Sequence, residues 1–509
     1  MSLTRRYLGN TFANLLLKVA SSLAGLWAAR ELVRSLGMAE FGFVTLASAL
    51  AGYLSFLGLG LPAGLVRQVA DLKGRGQEVR LRRLVRLAFF LFCGIGVVGA
   101  ALVALFDALG GLALLAIPPD THGAARAAIL ATAVVLLVSW PLSVFSATLT
   151  GLQRIPALNA VQGGAALVSA AVSVWVAKRG AGAGGVVLAT GSVLAVSGLA
   201  QALLVRRALP PARAEMPRDS HARDELRPLL SFGAWVLALE VASLLIYQTD
   251  QVILAVFVSA ESLTVYYVAA RLHNLVRETN GILSAALFPM IAEEHSRGNP
   301  AAAEQAIYRG TRYGVAVIVP ATLAAIFLAA PFLRVWMGEG FVPLAPLAQV
   351  FVSYWLVASL TTVTGQVALG IGESALLGKI AIAAAIVNLG ASLVLVRTWG
   401  IAGVIAGTLL AYSLALPAQF VLLFPRLGIS RLRFAREVLW PVYSVTIPAG
   451  AFWWLVLRWL PEPRSVLSIS ATGALIVGSC WGGLWFTAVD RRDRERVLSR
   501  LPRFRAQPS

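Results

Sequence analysis

Fourteen apolar stretches, each about 20 to 25 residues long, follow one another along the whole chain, over residues 8–33, 42–69, 84–106, 127–149, 155–177, 184–205, 229–258, 262–291, 311–334, 344–369, 375–396, 401–423, 438–460 and 466–489. At 1.5 Å per helical residue, such a stretch matches a hydrocarbon core roughly 30 Å thick. Within lipid every backbone N–H and C=O must find a partner inside the protein, so apolar runs of this length are helices. A hydrophobic share of 58%, a charged share of 13% and a mean hydropathy of +0.78 exclude an ordinary soluble domain. The expected fold is an all-α polytopic membrane protein of about 14 transmembrane helices. The first run, preceded by Arg5 and Arg6, is too long for a signal peptide and has no small-residue cleavage site before the next run, so it is expected to stay in the membrane.

Basic residues set the orientation, because short loops rich in Lys and Arg stay cytoplasmic. With the N-terminus inside, the inner segments hold 31 of the 43 Lys and Arg residues and the outer segments 9, with Lys18, Arg271 and Arg277 inside helices. Both termini are therefore expected in the cytoplasm. The formal charge of +19 reads as an inner surface facing anionic headgroups, not as a nucleic-acid site. Cys93 and Cys480 lie inside predicted helices, and His122, His221, His273 and His295 are scattered, so neither a disulfide framework nor a metal site is indicated.

The chain also repeats itself. "LLLKVASSL" (15–23) over "LALEVASLL" (237–245) gives six identities at an offset of 222, and "TGLQRIPAL" (150–158) over "LGIGESALL" (369–377) falls at 219. The first helix thus pairs with the seventh and the fifth with the eleventh. The expected organisation is two pseudo-symmetric six-helix lobes, 1–205 and 228–425, joined by a charged cytoplasmic linker at 206–227 and followed by two extra helices and a basic tail at 426–509. Six helices per lobe relate the lobes by an axis along the membrane normal, which places a substrate at their interface.

Charges near the bilayer centre cost about 2.5 to 3.5 kcal/mol each, so their faces are informative. At 3.6 residues per turn Glu240, Ser243, Tyr247, Asp250 and Gln251 share one face of the seventh helix. Arg271, Asn274 and Glu278 share one face of the eighth, flanked by Arg277. Asn10, Asn14, Lys18, Ser21 and Ser22 line the first, and Asn159, Gln162, Ser169 and Ser173 the fifth; the last two map onto Asn388 and Ser392. Lys18 and Glu240, each about 15 Å from the inner end of its helix, occupy matched repeat positions with opposite charge and are expected to face each other or a shared ligand. Asp250 and Arg271 lie at similar depth and are candidates for an ion pair, which fits a purely structural role equally well. His273 falls nearly opposite Arg271 and reads as a satisfied polar residue. Arg30, Arg34 and Arg67, near helix ends, read as snorkelling side chains. Gly58, Gly60 and Pro62, with Pro141, Pro320, Pro417 and Pro448, mark hinge or kink positions.

No metalloprotease motif, phosphate-cradling loop or paired-carboxylate loop is present, and the longest expected outer loop, 107–126, has no room for a catalytic domain. The chain is therefore expected not to be an enzyme.

"RSLGMAEFGFVTLASALAGYLSFLGLGLPAGLVRQVAD" (34–71), "YYVAARL" (266–272), "ALFPMIAE" (286–293) and the "LTGLQR" turn (149–154) resemble bacterial polysaccharide transporters, the oligosaccharide flippases of the multidrug/oligosaccharidyl-lipid/polysaccharide exporter superfamily. The likeness extends over nearly the whole chain. Thr264 departs from it, standing where the family often has glycine. The resemblance implies transfer of an undecaprenyl-pyrophosphate-linked oligosaccharide unit across the bacterial inner membrane for O-antigen, capsule or exopolysaccharide. A diphosphate requires cationic partners, for which Lys18, Arg271 and Arg277 are the candidates. Sugars require donors and flat aromatic faces, for which Asn14, Asn159, Gln162, Tyr247, Tyr266, Asn274 and Asn388 are available. Glu240, Asp250 and Glu278 are the candidates for binding a coupling proton or Na⁺; no other cofactor is expected. Candidate partners are the lipid-linked substrate, membrane lipids, a glycan polymerase and other assembly proteins. The alternatives are a multidrug exporter or lipid II flippase of the same superfamily and, from another class, a membrane glycan polymerase or ligase.

Overall fold

Leu, Ala and Val dominate the long runs and carry them as helices; glycine and proline decide where those helices bend and stop. The computed structural model describes residues 3–58, 60–209, 234–285, 300–370 and 373–500. Its principal helices are α1 (Leu3–Leu54), α2 (Leu61–Gly74), α3 (Glu78–Ala108), α4 (His122–Gly151), α5 (Ile155–Lys178), α6 (Gly182–Ala208), α7 (Ala234–Phe257), α8 (Ala260–Ala285), α9 (Pro300–Phe327), α10 (Ala329–Trp336), α11 (Ala345–Ser353), α12 (Trp355–Gly370), α13 (Ser374–Ala418), α14 (Trp440–Trp459), α15 (Val466–Thr487) and α16 (Arg491–Arg500). Among the described residues there is no strand, and ten helical segments are long and apolar enough to cross a membrane. The chain is an all-α polytopic membrane protein.

The apolar runs and the helices do not coincide one for one. The first run and the start of the second form α1, which is broken only at Gly37, whose backbone (φ 81°, ψ 174°) is non-helical. The eleventh and twelfth form α13, broken at Gly400. Conversely, the single helix expected over 42–69 is interrupted: α1 stops at Leu54, a 3₁₀ turn covers Ser55–Gly58, and α2 starts at Leu61 after Gly60 at φ 71°. Gly60 reaches the left-handed region without strain, and Pro62 can open a helix but has no N–H with which to continue one. The runs at 311–334 and 344–369 divide likewise, α9 from α10 at Leu328 and α11 from α12 at Tyr354. Arg206, Arg207 and Ala208 of the expected linker belong to the last turn of α6, and 210–227 lie outside the described residues.

Contacts divide the chain into two compact units, residues 1–267 with 388–407 and residues 268–387 with 408–509. In the first unit α4 is the central post. Gly184, Gly191 and Gly198 of α6, seven residues apart, face Ala127, Val135 and Leu142 of α4 so closely that an added Cβ would lie 2.8, 2.2 and 2.6 Å from those residues. Lipid supplies no hydrophobic drive between helices, so a seam of small residues that lets backbones approach is what holds the pair. On its other side α4 packs on α3, where Leu81, Leu84, Ala88 and Phe92 are fully buried. Ion pairs tie helix ends together: Lys178 to Glu31 at 2.7 Å, and Arg126 to Asp107 at 3.0 Å. Glu40 Oε2 accepts from the Ala183 N–H at 3.0 Å and so caps the first turn of α6.

In the second unit α9 is the post, with Tyr308, Val315 and Val319 buried against Leu360, Val363, Phe434, Val442 and Leu484. Its early turns carry a polar network. Arg312 pairs with Asp490 at 2.6 Å, Arg309 with Asp490 at 3.0 Å and also with Asp493, and Tyr313 donates to Asp493 at 2.6 Å. Arg433 pairs with Glu304 at 2.6 Å and lies over the Tyr308 ring at 4.5 Å. Near α10, Arg334 bridges Glu462 and Glu339, and these carboxylates, Glu462 foremost, hold its guanidinium above its ordinary range.

Candidate functional site

The polar residues that the sequence places on α7 and α8 resolve into two settings, one in each unit. In the first unit Asp250, on α7, is wholly buried, and its Oδ2 accepts from Tyr266 Oη of α8 at 2.6 Å. Thr249, beside it, hydrogen-bonds Tyr53 of α1. The start of α8 presses on the bend of α1: a Cβ added at Gly42 would lie 2.1 Å from the Ala260 carbonyl oxygen, and Phe41 meets Tyr267 edge to face at 5.3 Å. Thr264 Oγ1 donates to the Met38 carbonyl at 2.7 Å, immediately after Gly37. Thr264 thus supplies a hydrogen bond between α8 and the bend. Two of the sequence motifs, 34–71 and 266–272, meet here.

The second setting belongs to the remainder of α8. His273 is buried; its Nδ1 donates to the Phe351 carbonyl at 3.0 Å, its ring stacks on Phe351 with centroids 4.1 Å apart, and its own carbonyl accepts from Trp355 Nε1 at 3.1 Å. Seven residues on, Asn280 Nδ2 donates to Thr362 Oγ1 at 2.8 Å. His273 and Asn280 therefore form the clamped face of α8. At about 100° per residue Arg271, Asn274 and Glu278 lie on the opposite face. All three are half-buried, and Arg271 Nε is buried with no hydrogen-bond partner; among the described residues no carboxylate pairs with Arg271. Arg277 sits between the two faces and is also half-buried. This arrangement leaves a cationic side chain on a membrane helix without a carboxylate partner among the described residues, which is the chemistry an anionic group would use.

The other candidates are distributed over the first unit. Lys18 is exposed on α1, and its neighbour Leu17 packs on Gly163 of α5, where a Cβ would come within 2.3 Å of Leu17. Gln162, exposed, and Asn159, half-buried, precede that contact on α5, so Lys18 and these two amides flank one helix seam. Asn388 on α13 is wholly buried, and Ser392 one turn later donates to the Val404 carbonyl at 3.4 Å. The side chains of Asn14, Glu240 and Tyr247 lie outside those described, so the expected facing of Lys18 and Glu240 falls outside the described residues. Sequence reasoning passed over Tyr53, Thr249, Asn280 and Thr362, because helical spacing within one run does not show which hydroxyls and amides meet across helices.

Comparison with known proteins follows the same lines. The chain matches the family profile described as polysaccharide biosynthesis protein over residues 7–295 and that described as lipid II flippase MurJ over residues 165–470. It is 23% identical over 364 residues, 69% of either chain, to the uncharacterized membrane protein EpsK of Bacillus subtilis. Its fold is similar to that of the lipid II flippase MurJ in an inward closed conformation, with a TM-score of 0.70 and 12% identity over 96% of this chain and 100% of that one. It is also similar to the inward-facing conformation of a multidrug resistance MATE family transporter of the MOP superfamily, with a TM-score of 0.62 and 18% identity over 80% and 94%. With more than half of its length matched by the first profile, the chain belongs to the polysaccharide biosynthesis protein family, within the multidrug/oligosaccharidyl-lipid/polysaccharide exporter superfamily.

Proposed function

We propose that this protein is a flippase that carries a lipid-linked oligosaccharide, joined to its polyprenyl carrier through a diphosphate, from the inner to the outer leaflet of a bacterial cytoplasmic membrane. The observation that carries the reading is Arg271: a guanidinium on a membrane helix, half-buried, without a carboxylate partner among the described residues, and held on the face of α8 opposite the His273 clamp. A diphosphate is the substrate group that such a cation stabilises, with Asn274 beside it for a sugar hydroxyl and Arg277 as a further cation. The polyprenyl tail stays in lipid. In this reading 1–205 and 228–425 act as two lobes in alternating access, with both termini in the cytoplasm. Asp250 or Glu278 takes a coupling proton or Na⁺, and a glycan polymerase receives the product.

A second reading, lipid II as the cargo, is favoured by the match of residues 165–470 to the lipid II flippase profile. Deleting the gene in its host separates the two. Loss of surface glycan with accumulation of single lipid-linked oligosaccharide units, reversed by the wild-type gene, supports the first reading. Lipid II accumulation with arrested wall synthesis supports the second. Unchanged pools of both, with increased sensitivity to cationic drugs, replace them with multidrug export.

A further inference from the structure

Arg82 stands out in the α2–α3 hairpin of the first unit. This hairpin is crowded with cations, and residues 61–86 contain two acids, Asp71 and Glu78. Both are committed: Arg75 Nε pairs with Asp71 at 2.9 Å and Lys73 with Glu78 at 3.1 Å. Arg80 donates to Gln77 at 3.1 Å. Among the described residues Arg82, half-buried one turn into α3, has no counter-charge, and its Nε and Nη2 are both buried with no hydrogen-bond acceptor.

Those two nitrogens are adjacent on the guanidinium and present their N–H groups along one edge, the fork that two oxygens of a single oxyanion fill. Burying such an edge unpaired is costly, whereas an oxyanion in the fork returns two charge-assisted hydrogen bonds. Position indicates which oxyanion. Arg82 lies about 6 Å from the first residue of α3, at the end of a membrane-spanning helix, where phosphate groups are concentrated. A phosphate fits the fork in charge and geometry, and lysine, with a single ammonium, does not reproduce it.

We infer that Arg82 holds a phosphate oxyanion in its Nε/Nη2 fork, at a site in the first unit and independent of the transport reading. A lipid headgroup and free phosphate present the same group, and the test distinguishes them. The full chain is purified in a phosphate-free maltoside detergent and titrated with phosphatidylglycerol or with inorganic phosphate; the thermal unfolding midpoint and the phospholipid retained in native mass spectra are followed. If phosphatidylglycerol stabilises the wild type and inorganic phosphate does not, the ligand is a headgroup. If inorganic phosphate also stabilises it without added phospholipid, the site takes free phosphate. In either case Arg82→Ala weakens the response roughly tenfold or more, and Arg82→Lys falls between. If Arg82→Ala does not fold, Arg82→Lys, which keeps the charge and the stem, carries the comparison. A wild type that responds to neither probe, or variants at Arg82 that respond as the wild type does, overturns the assignment.

Discussion

Tyr266 Oη donates to Asp250 Oδ2 at 2.6 Å, joining α7 and α8 across the short turn 258–259, and the carboxyl it binds is wholly buried. Removing the phenol strips a donor from an acid that water does not reach. Tyr266→Phe is therefore expected to cost about 1 to 3 kcal/mol, seen as a lower unfolding midpoint in detergent. Asp250→Asn keeps an acceptor for Tyr266 and is expected to unfold as the wild type does while losing ion-coupled transport. If Asp250→Asn transports at the wild-type rate, Asp250 is a structural acid only.

Asp490 and Asp493 receive Arg309, Arg312 and Tyr313 and thereby fix the start of α16 against α9. Arg312 is 9% exposed, so removing its partner leaves a nearly buried cation uncompensated. Asp490→Ala is expected to release α16, with trypsin cleavage after Arg491 or Arg492 accelerated roughly tenfold in a limited digest, as local opening becomes easier. Asp490→Glu restores slow cleavage. Unchanged cleavage in Asp490→Ala would place the hold on α16 elsewhere.

Arg334 gives a prediction about pH. Its guanidinium is held above its ordinary value by Glu462 and Glu339. A cation whose folded value is raised contributes stability that is complete below its unfolded value and is lost only as pH climbs through the folded one. For an arginine that window is strongly alkaline. The loss of stability in Arg334→Ala is accordingly expected to be the same at about pH 6 and pH 9, measured by thermal unfolding at both. A loss that shrank between these values would show that another titrating group governs the contact.

The helical, membrane-spanning character was legible because run length and hydropathy are dictated by bilayer thickness, and the polar face of α8 was legible because helical spacing alone puts Arg271, Asn274 and Glu278 together. His273 was correctly read as a satisfied residue on the opposite face. The internal divisions were harder to see. Gly37 and Gly400 break long helices without a polar loop, and Tyr354 separates α11 from α12 although nothing in its chemistry stops a helix. Gly60 and Pro62 were readable as a hinge, yet the hydropathy around them is continuous and concealed a full interruption. The Tyr53–Thr249 and Asn280–Thr362 hydrogen bonds join residues far apart in sequence, and periodicity within one helix says nothing about its neighbours.

The central claim is that Arg271 engages the diphosphate of a lipid-linked glycan. Its most direct test is flipping of a fluorescent polyprenyl-diphosphate oligosaccharide in proteoliposomes containing wild type, Arg271→Ala or Arg271→Lys. The account predicts transfer by the wild type, a fall of about tenfold or more in Arg271→Ala with an unchanged unfolding midpoint, and partial activity in Arg271→Lys. Equal transfer by wild type and Arg271→Ala, with both variants folded, would contradict it.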